Sequence, residues 1–367
     1  MNNLIRPAKA IAPGRIILRE LEARGWSQQD LASIIGRPQQ MISEIIHAKK
    51  QITAETARQL AKAFGTSPDF WMNLEMQYQL LQAGKEKNEA DIKRRSKIYD
   101  LAPVSELIKR CWIRACASID ELEREVCQYY QISSVDEWPQ TVANYRVSQD
   151  RGPEERAKIA WVRRVEQLAT NQPVKEYIPG EMFEFVQRLL SFTQDETNIS
   201  NIPYLCIENG IHFIIVPHLP KTYLDGAALC VDGHPVIALS LRYDRIDAFW
   251  FTFLHELAHI MFQHNEVHLD QLFDRNEHEL HNDEIQANQQ ASKWLIPEED
   301  LEEFIEWNRP RYSRVSIQSF AAKQKCHPGI VIGQLMYRGE LKYSHLRKYL
   351  VKVRSKLEMW EDVPYPI

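Results

Sequence analysis

The sequence His-Glu-Leu-Ala-His at 255–259 follows a stretch at 249–254 in which every residue except Thr252 is large and apolar. Residues four apart on an α-helix lie on the same face, so His255 and His259 are close enough to bind one ion. Glu256 then projects beside that ion, where it can take a proton from water. The apolar run predicts that this helix, from about 245 to 264, is buried. The chain must therefore fold around a buried helix that carries a candidate zinc centre.

A catalytic zinc site needs a third protein ligand and one open coordination position. The metzincin form of the motif requires Gly at 262 and His at 265, and Phe262 and Asn265 exclude it. A carboxylate from a second helix is the alternative. We predict Glu284, because the small residue Ala287 one turn later lets its helix pack closely against the first. The other candidates are Glu277, Glu279, Asp283, His264, His268, His278 and His281. Zinc is the expected ion, with manganese as the alternative.

The chain has 367 residues, which are too many for a single hydrophobic core of ordinary size. Charge is distributed unevenly along it. The net charge of −5 excludes a wholly basic nucleic-acid-binding protein. Residues 1–70, however, contain ten Lys and Arg against six Asp and Glu. A mildly basic head on an acidic body predicts a small DNA-binding domain attached to a larger one.

The basic head has the pattern of a helix-turn-helix. Ser27 and Asp30 have the spacing of a capping box, which begins a helix that ends at Gly36. Pro38 suits the first turn of the next helix. Two helices joined at 36–38 are typical of a helix-turn-helix, in which the second helix enters the major groove.

The second of these helices has a polar face at its N-terminal end, as a recognition helix needs. Glutamine can pair with adenine, and glutamate can accept a hydrogen bond from cytosine. Lysines after the helix and the N-terminus of the preceding helix suit phosphates. The predicted DNA-contacting residues are Gln28, Gln39, Gln40, Ser43, Glu44, Lys49 and Lys50. Since one such domain rarely gives useful affinity, we expect a homodimer on operator DNA with an inverted repeat.

Residues 11–74 resemble the Cro/repressor (XRE) family, and most of all its HigA-like antitoxin branch. The similar stretches are Gly-Trp-Ser-Gln-Gln-Asp-Leu-Ala at 25–32 and Phe-Gly-Thr-Ser-Pro-Asp-Phe-Trp at 64–71. One departure is Ala48, where the family usually has Gly after the recognition helix. The resemblance implies DNA binding.

Residues 200–340 resemble the ImmA/IrrE family of metallopeptidases. The similar stretches are 249–259, 284–297 and His-Pro-Gly-Ile-Val-Ile-Gly at 327–333. The resemblance implies that His255, His259 and Glu284 bind the metal and that Glu256 is the general base. Gln290 stands where the family usually has Phe, which changes packing more than chemistry.

These patterns together predict a multidomain, mainly α protein. The expected domains are a helix-turn-helix bundle (1–82), a helical middle region (83–199), an α+β zincin-like peptidase domain with a small antiparallel sheet (200–310) and a C-terminal subdomain (311–367). We expect strands at 204–207, 211–216 and 235–241, and a terminal helix at 345–357. The strand at 235–241 is expected to pair with an extended substrate backbone.

The predicted function is a transcriptional regulator or antitoxin-like protein with a zinc-dependent endopeptidase domain. Its protein partner would be a substrate, a toxin or a repressor, and cleavage of its own linker is included. The alternative is a regulator whose peptidase-like domain only binds a partner or senses metal. Candidates for stabilising the oxyanion are Tyr223, His218 and Arg242. Six cysteines without a C-x-x-C pair, no signal peptide and no membrane-length apolar run predict a cytoplasmic protein without a membrane partner.

Overall fold

The computed structural model describes residues 11–83, 88–139, 152–263, 269–270 and 282–362. The chain divides into two compact units, Met1–Arg94 and Arg95–Ile367. Six of the alternative metal ligands lie outside the described residues: His264, His268, Glu277, His278, Glu279 and His281.

The first unit is helical. Its helices are α1 (Pro13–Arg24), α2 (Gln28–Ile35), α3 (Gln39–Ile46), α4 (Ala54–Phe64) and α5 (Pro68–Ala83), and α6 (Asn88–Leu101) continues into the second unit. The capping box at the start of α2 is formed, because Ser27 accepts from the Asp30 amide and the Asp30 carboxylate accepts from the Ser27 amide. Four of its core side chains are at most 1% exposed: Leu31, Ile42, Leu60 and Trp71.

The turn after α3 has a left-handed residue. Ala48 has φ 56°, a conformation that glycine adopts without strain and alanine does not. The departure from the family pattern therefore leaves the left-handed turn in place and adds backbone strain to it.

The second unit adds ten helices among its described residues. They are α7 (Val104–Lys109), α8 (Ile119–Tyr130), α9 (Pro153–Asn171), α10 (Met182–Leu190), α11 (Ile202–Glu208), α12 (Ile246–Met261), α13 (Asn282–Leu295), α14 (Glu298–Asn308), α15 (Arg314–Gln324) and α16 (Pro328–Tyr337). In the part of the chain that the structure covers, no helix has the length and apolar character needed to cross a membrane.

One small sheet lies in this unit, with strand order β1-β3-β2-β4. The strands are β1 (His212–Ile215), β2 (Gly226–Val231), β3 (His234–Leu239) and β4 (Leu269–Asp270). β2 pairs antiparallel with both β3 and β4, whereas β1 pairs parallel with β3. The mainly helical fold with a small sheet is confirmed. The sheet is mixed and not wholly antiparallel as expected, because β1 and β3 run in the same direction.

The sheet lies between two helical layers because its side chains alternate. Phe213, Ile215, Ile237 and Leu239 pack with α12 in one cluster. Ile214, Val216, Val236 and Ala238 pack with α8 and α9 in the other. The indole N–H of Trp161 on α9 donates to the Val216 carbonyl at 2.8 Å. The helices of 98–169 therefore cover the back of the sheet whose front carries α12.

Three local predictions were wrong. Residues 204–207 lie in α11, where Pro203 occupies the first turn of a helix instead of preceding a strand. β3 cannot accept a substrate strand because β1 and β2 occupy both of its edges. The segment 345–357 forms the short 3-10 turns Arg347–Tyr349 and Arg354–Lys356 instead of a continuous helix.

Candidate functional site

The two motif histidines lie on the buried face of α12. His255 is fully buried and His259 is 2% exposed. Their Nε2 atoms lie 3.0 Å apart, which is the arrangement that the four-residue spacing predicted. The aromatic residues before the motif, such as Phe253, bury this helix in the core.

Glu284 on α13 completes a group of three. Its Oε2 lies 3.5 Å from Nε2 of His255, and its Oε1 lies 3.8 Å from Nε2 of His259. Ala287 and Ala291 are fully buried on the same helix, so α13 packs closely against α12. Within the described residues, these three form the group of His, Cys, Asp or Glu side chains that could hold an ion, and Asp283 is not a member.

The donor set fits zinc. Two imidazole nitrogens and a carboxylate are a typical ligand set of catalytic zinc. Tetrahedral ligands about 2.1 Å from an ion lie about 3.4 Å from one another. The separations of 3.0, 3.5 and 3.8 Å between the ligand atoms scatter around that value.

Glu256 lies against the start of β2 and is fully buried. A Cβ atom built on Gly226 would overlap Oε1 of Glu256 and lie 2.9 Å from Cγ2 of Thr252. The backbone of β2 therefore lies directly against the Glu256 carboxylate. Any side chain at position 226 would prevent this contact. Sequence reasoning missed Gly226, although a glycine inside a strand is itself a signal of close approach.

A partly buried ion pair lies at the N-terminal end of α12. Arg245 Nη2 donates to Oδ2 of Asp247 at 2.9 Å, and Nε donates to Oδ1 at 3.2 Å. Burial raises the pKa of the Asp247 carboxyl, and the Arg245 guanidinium opposes that rise. A Cβ on Gly333 of α16 would lie 2.7 Å from Oδ2 of Asp247, so α16 approaches α12 closely here.

The three oxyanion candidates lie in loops next to the sheet. The Arg242 guanidinium lies over the rings of Tyr223 (5.0 Å) and Tyr243 (4.9 Å) and 3.9 Å from Oδ1 of Asp225. Tyr223 has a left-handed backbone with φ 53° and is half exposed. Burial lowers the pKa of His218. The structure thus brings Arg242 and Tyr223 together.

A cavity of about 920 Å³ is lined by residues of α12, α13, α14 and α16. The Phe251 ring lines it and lies 6.3 Å from the His255 ring. Ile285, the residue after Glu284, lines it as well, and the Tyr337 ring lies 6.4 Å from the Phe251 ring. The cavity is large enough for side chains of an extended peptide.

The predicted DNA contacts in the first unit lie on the solvent side of α3 and its neighbours. Gln39, Gln40, Lys49 and Lys50 are exposed, and Gln28, Ser43 and Glu44 are half-buried. Nε2 of Gln40 donates to Oε1 of Glu44 at 3.1 Å. The opposite side of α3 is buried through Ile42, Ile45 and Ile46.

The folds and the ligand group define a helix-turn-helix protein with a zincin-like centre. Two family profiles match the chain, "Helix-turn-helix" over residues 17–71 and "IrrE N-terminal-like domain" (Peptidase_M78) over residues 213–323. The chain therefore belongs to the XRE-type helix-turn-helix family in its first unit and carries a peptidase-family IrrE N-terminal-like domain in its second, which confirms both resemblances.

Curated relatives are similar to about a fifth of the chain. The chain is 36% identical over 75 residues to virulence-associated protein A' of Dichelobacter nodosus, which is 20% of this chain and 65% of that protein. It is 34% identical over 84 residues to virulence-associated protein I of the same organism, which is 23% of this chain and 78% of that protein. An HTH-type transcriptional regulator of Haemophilus influenzae is 37% identical over 73 residues, which is 20% of this chain and 68% of the regulator.

Two solved structures are similar to about a quarter of the chain. An addiction module antidote protein of a HigA family from Coxiella burnetii is 36% identical, with 23% of this chain and 94% of that chain covered and a TM-score of 0.22. PA4674 from Pseudomonas aeruginosa, solved in complex with its operator DNA, is 28% identical, with 24% and 96% covered and a TM-score of 0.23.

Proposed function

We propose that this chain is a cytoplasmic regulator that binds operator DNA and cleaves a regulatory protein through a zinc-dependent endopeptidase domain. The observation that carries the proposal is the buried group of His255, His259 and Glu284 with Glu256 on the same helix. The Peptidase_M78 match over 213–323 supports it. The protein target is a toxin, a repressor partner or the chain's own linker.

The three ligands and Glu256 have different roles in this proposal. His255, His259 and Glu284 would hold zinc, with manganese as the alternative ion. Zinc supplies, when bound, a Lewis acid that polarises oxygen and makes water more acidic. Glu256 takes the proton from the attacking water and returns it to the leaving amine. A purely structural metal site would need the three ligands but not Glu256.

Burial of Glu256 suits a proton acceptor that acts only on a positioned water. The backbone of Gly226 lies against the carboxylate and limits its movement on that side. Peptide side chains would occupy the cavity lined by Phe251 and Tyr337.

Operator binding is assigned to the first unit. Gln39, Gln40 and Glu44 would read base edges, while Lys49 and Lys50 would contact phosphates. The excess of basic residues in 1–70 supports attraction to DNA. We propose a homodimer on an inverted repeat, because two recognition helices one DNA turn apart double the readout.

The test is incubation of the purified protein and its Glu256→Gln variant with zinc and with a candidate protein partner, followed by mass spectrometry. Cleavage by the wild type alone supports the proposal. Equal binding of the partner by both proteins, with no cleavage by either, would instead support a regulator whose peptidase-like domain only binds a partner or senses metal.

A further inference from the structure

The backbone that leads into β2 is attached to the residues that follow β3. The Ser240 amide donates to the Asp225 carbonyl at 3.0 Å, and its Oγ donates to the Leu224 carbonyl at 2.6 Å. These two bonds continue the antiparallel pairing of β2 and β3 beyond the first residue of β2. We call residues 223–225 the β2 entry segment. The position of Gly226, which comes directly after it, depends on this attachment.

Arg242 attaches the β2 entry segment through its side chain. Its Nη1 donates to the Tyr223 carbonyl at 3.1 Å and lies 3.9 Å from Oδ1 of Asp225. The side chains of Arg242 and Asp225 are 15% and 3% exposed, so solvent screens this ion pair only weakly. The guanidinium also lies over the rings of Tyr223 and Tyr243, which restricts its orientation. Arg242 therefore binds the entry segment at both of its ends.

Two residues next to these contacts have a left-handed backbone. Tyr223 has φ 53°, and Leu241, which lies between Ser240 and Arg242, has φ 49°. Neither residue is glycine, so each conformation costs free energy and persists only where surrounding contacts stabilise it. The Arg242 amide donates to Oγ of Ser240 at 3.2 Å, across Leu241. The attachment of the entry segment therefore includes backbone strain, and strain of this kind is concentrated at functional sites.

We propose that Arg242 is a positioning residue for Glu256. Its guanidinium fixes the β2 entry segment. That segment leads into Gly226, whose backbone lies directly against the Glu256 carboxylate. A displacement of a reacting group by about 1 Å can slow a reaction about 100-fold, so release of the entry segment would impair a proton acceptor. The inference rests on the proposed role of Glu256 as general base, whereas the attachment itself can be measured without cleavage.

Hydrogen exchange in the full chain measures the attachment. In Arg242→Met, which keeps the length of the side chain and loses its donors, the Ser240 amide should exchange at least about tenfold faster, because the segment that it binds is released. Arg242→Lys keeps the charge and should give an intermediate rate. Arg311→Met is the matched control, since Arg311 is exposed. Exchange at the wild-type rate in Arg242→Met would overturn the proposal.

A second measurement uses the protein whose cleavage mass spectrometry detects. Arg242→Met should lower kcat at least about tenfold, with KM within about twofold of the wild type and an unchanged zinc content. Arg242→Lys should restore part of kcat. Loss of kcat with wild-type exchange at Ser240 would indicate a direct contact of Arg242 with the oxyanion and overturn the proposal. Faster exchange with unchanged kcat would overturn it as well.

If the wild-type chain cleaves no candidate protein, the proposed function fails, and crystal structures decide the positioning on their own. The Glu256 carboxylate should lie against Gly226 in the wild type and be displaced, or spread over several orientations, in Arg242→Met. A carboxylate in the same place in both structures would overturn the proposal. Where Arg242→Met does not fold, Arg242→Lys replaces it in each measurement.

Discussion

The backbone of Gly226 packs against the carboxylate of Glu256, so closely that a Cβ atom at this position would lie 3.0 Å from the Glu256 Cδ and overlap Oε1. This contact joins the first residue of β2 to the proposed general base on α12. Because both groups are confined by surrounding structure, any side chain at 226 must displace one of them.

Gly226→Ala tests this contact. We expect the variant to keep its metal, to lose about 1–3 kcal/mol of unfolding free energy through overpacking and to cleave at least about tenfold more slowly. Chemical denaturation, metal analysis and a cleavage assay measure the three effects. Gly180→Ala is the control, because a Cβ there meets nothing within 4 Å. Wild-type stability and activity of Gly226→Ala would refute the close contact.

Ala48→Gly should stabilise the first unit. Ala48 adopts φ 56°, and glycine removes the strain of that conformation. We expect an increase of up to about 1 kcal/mol in unfolding free energy, reduced by the greater freedom of glycine in the unfolded chain. Thermal or chemical denaturation, followed through a signal from the first unit, measures this change. A loss of stability would contradict the prediction.

Two variants of the first unit should distinguish base contacts from phosphate contacts in operator binding. Gln40→Ala should cost about 1–3 kcal/mol on the specific site and relax sequence preference. Lys49→Ala should weaken binding to all sequences alike. It should also lower by about one the slope of log affinity against log salt concentration. Fluorescence titrations over a salt series distinguish the two. Binding to the operator that survives deletion of residues 1–80 would contradict the assignment.

Acid stability should depend on His212. Its side chain is 4% exposed, and burial, followed by repulsion from His234, lowers its pKa to about 4. Between pH 6.5 and 4, His212 is protonated in the unfolded chain but neutral in the folded chain. The free energy of unfolding therefore falls as the pH falls through this range.

His212→Phe should therefore lose about 1–2 kcal/mol less unfolding free energy than the wild type between pH 7 and pH 5. Denaturation curves at several pH values measure this difference. His345→Phe is the control, since the His345 side chain is exposed. The same pH slope in His212→Phe and the wild type would show that His212 is protonated in the folded chain.

The sequence predicted what depends on local spacing. The imidazoles of His255 and His259 meet because residues four apart share a helix face, and Ser27 and Asp30 form the capping box that their spacing indicates. Glu284 could be proposed because small residues follow it, although 24 residues separate it from His259 and no local rule fixes that contact.

Contacts between distant segments were not predictable in this way. The proximity of Gly226 to Glu256 arises only when β2 packs on α12. The 202–208 segment is apolar in a pattern that suits a strand or a helix, and packing against α10 and β1 accompanies its helical form. Asp362 reaches Arg164 across 198 positions of the chain, which no sequence period reveals.

The most direct test of the account is the metal content of four purified variants. His255→Ala, His259→Ala and Glu284→Ala should each bind zinc more than about 100-fold more weakly, because each removes a ligand. Glu256→Gln should keep one zinc per chain and lose cleavage, since glutamine keeps the shape but cannot accept the proton. Full zinc content in Glu284→Ala, or wild-type cleavage by Glu256→Gln, would contradict the proposed centre.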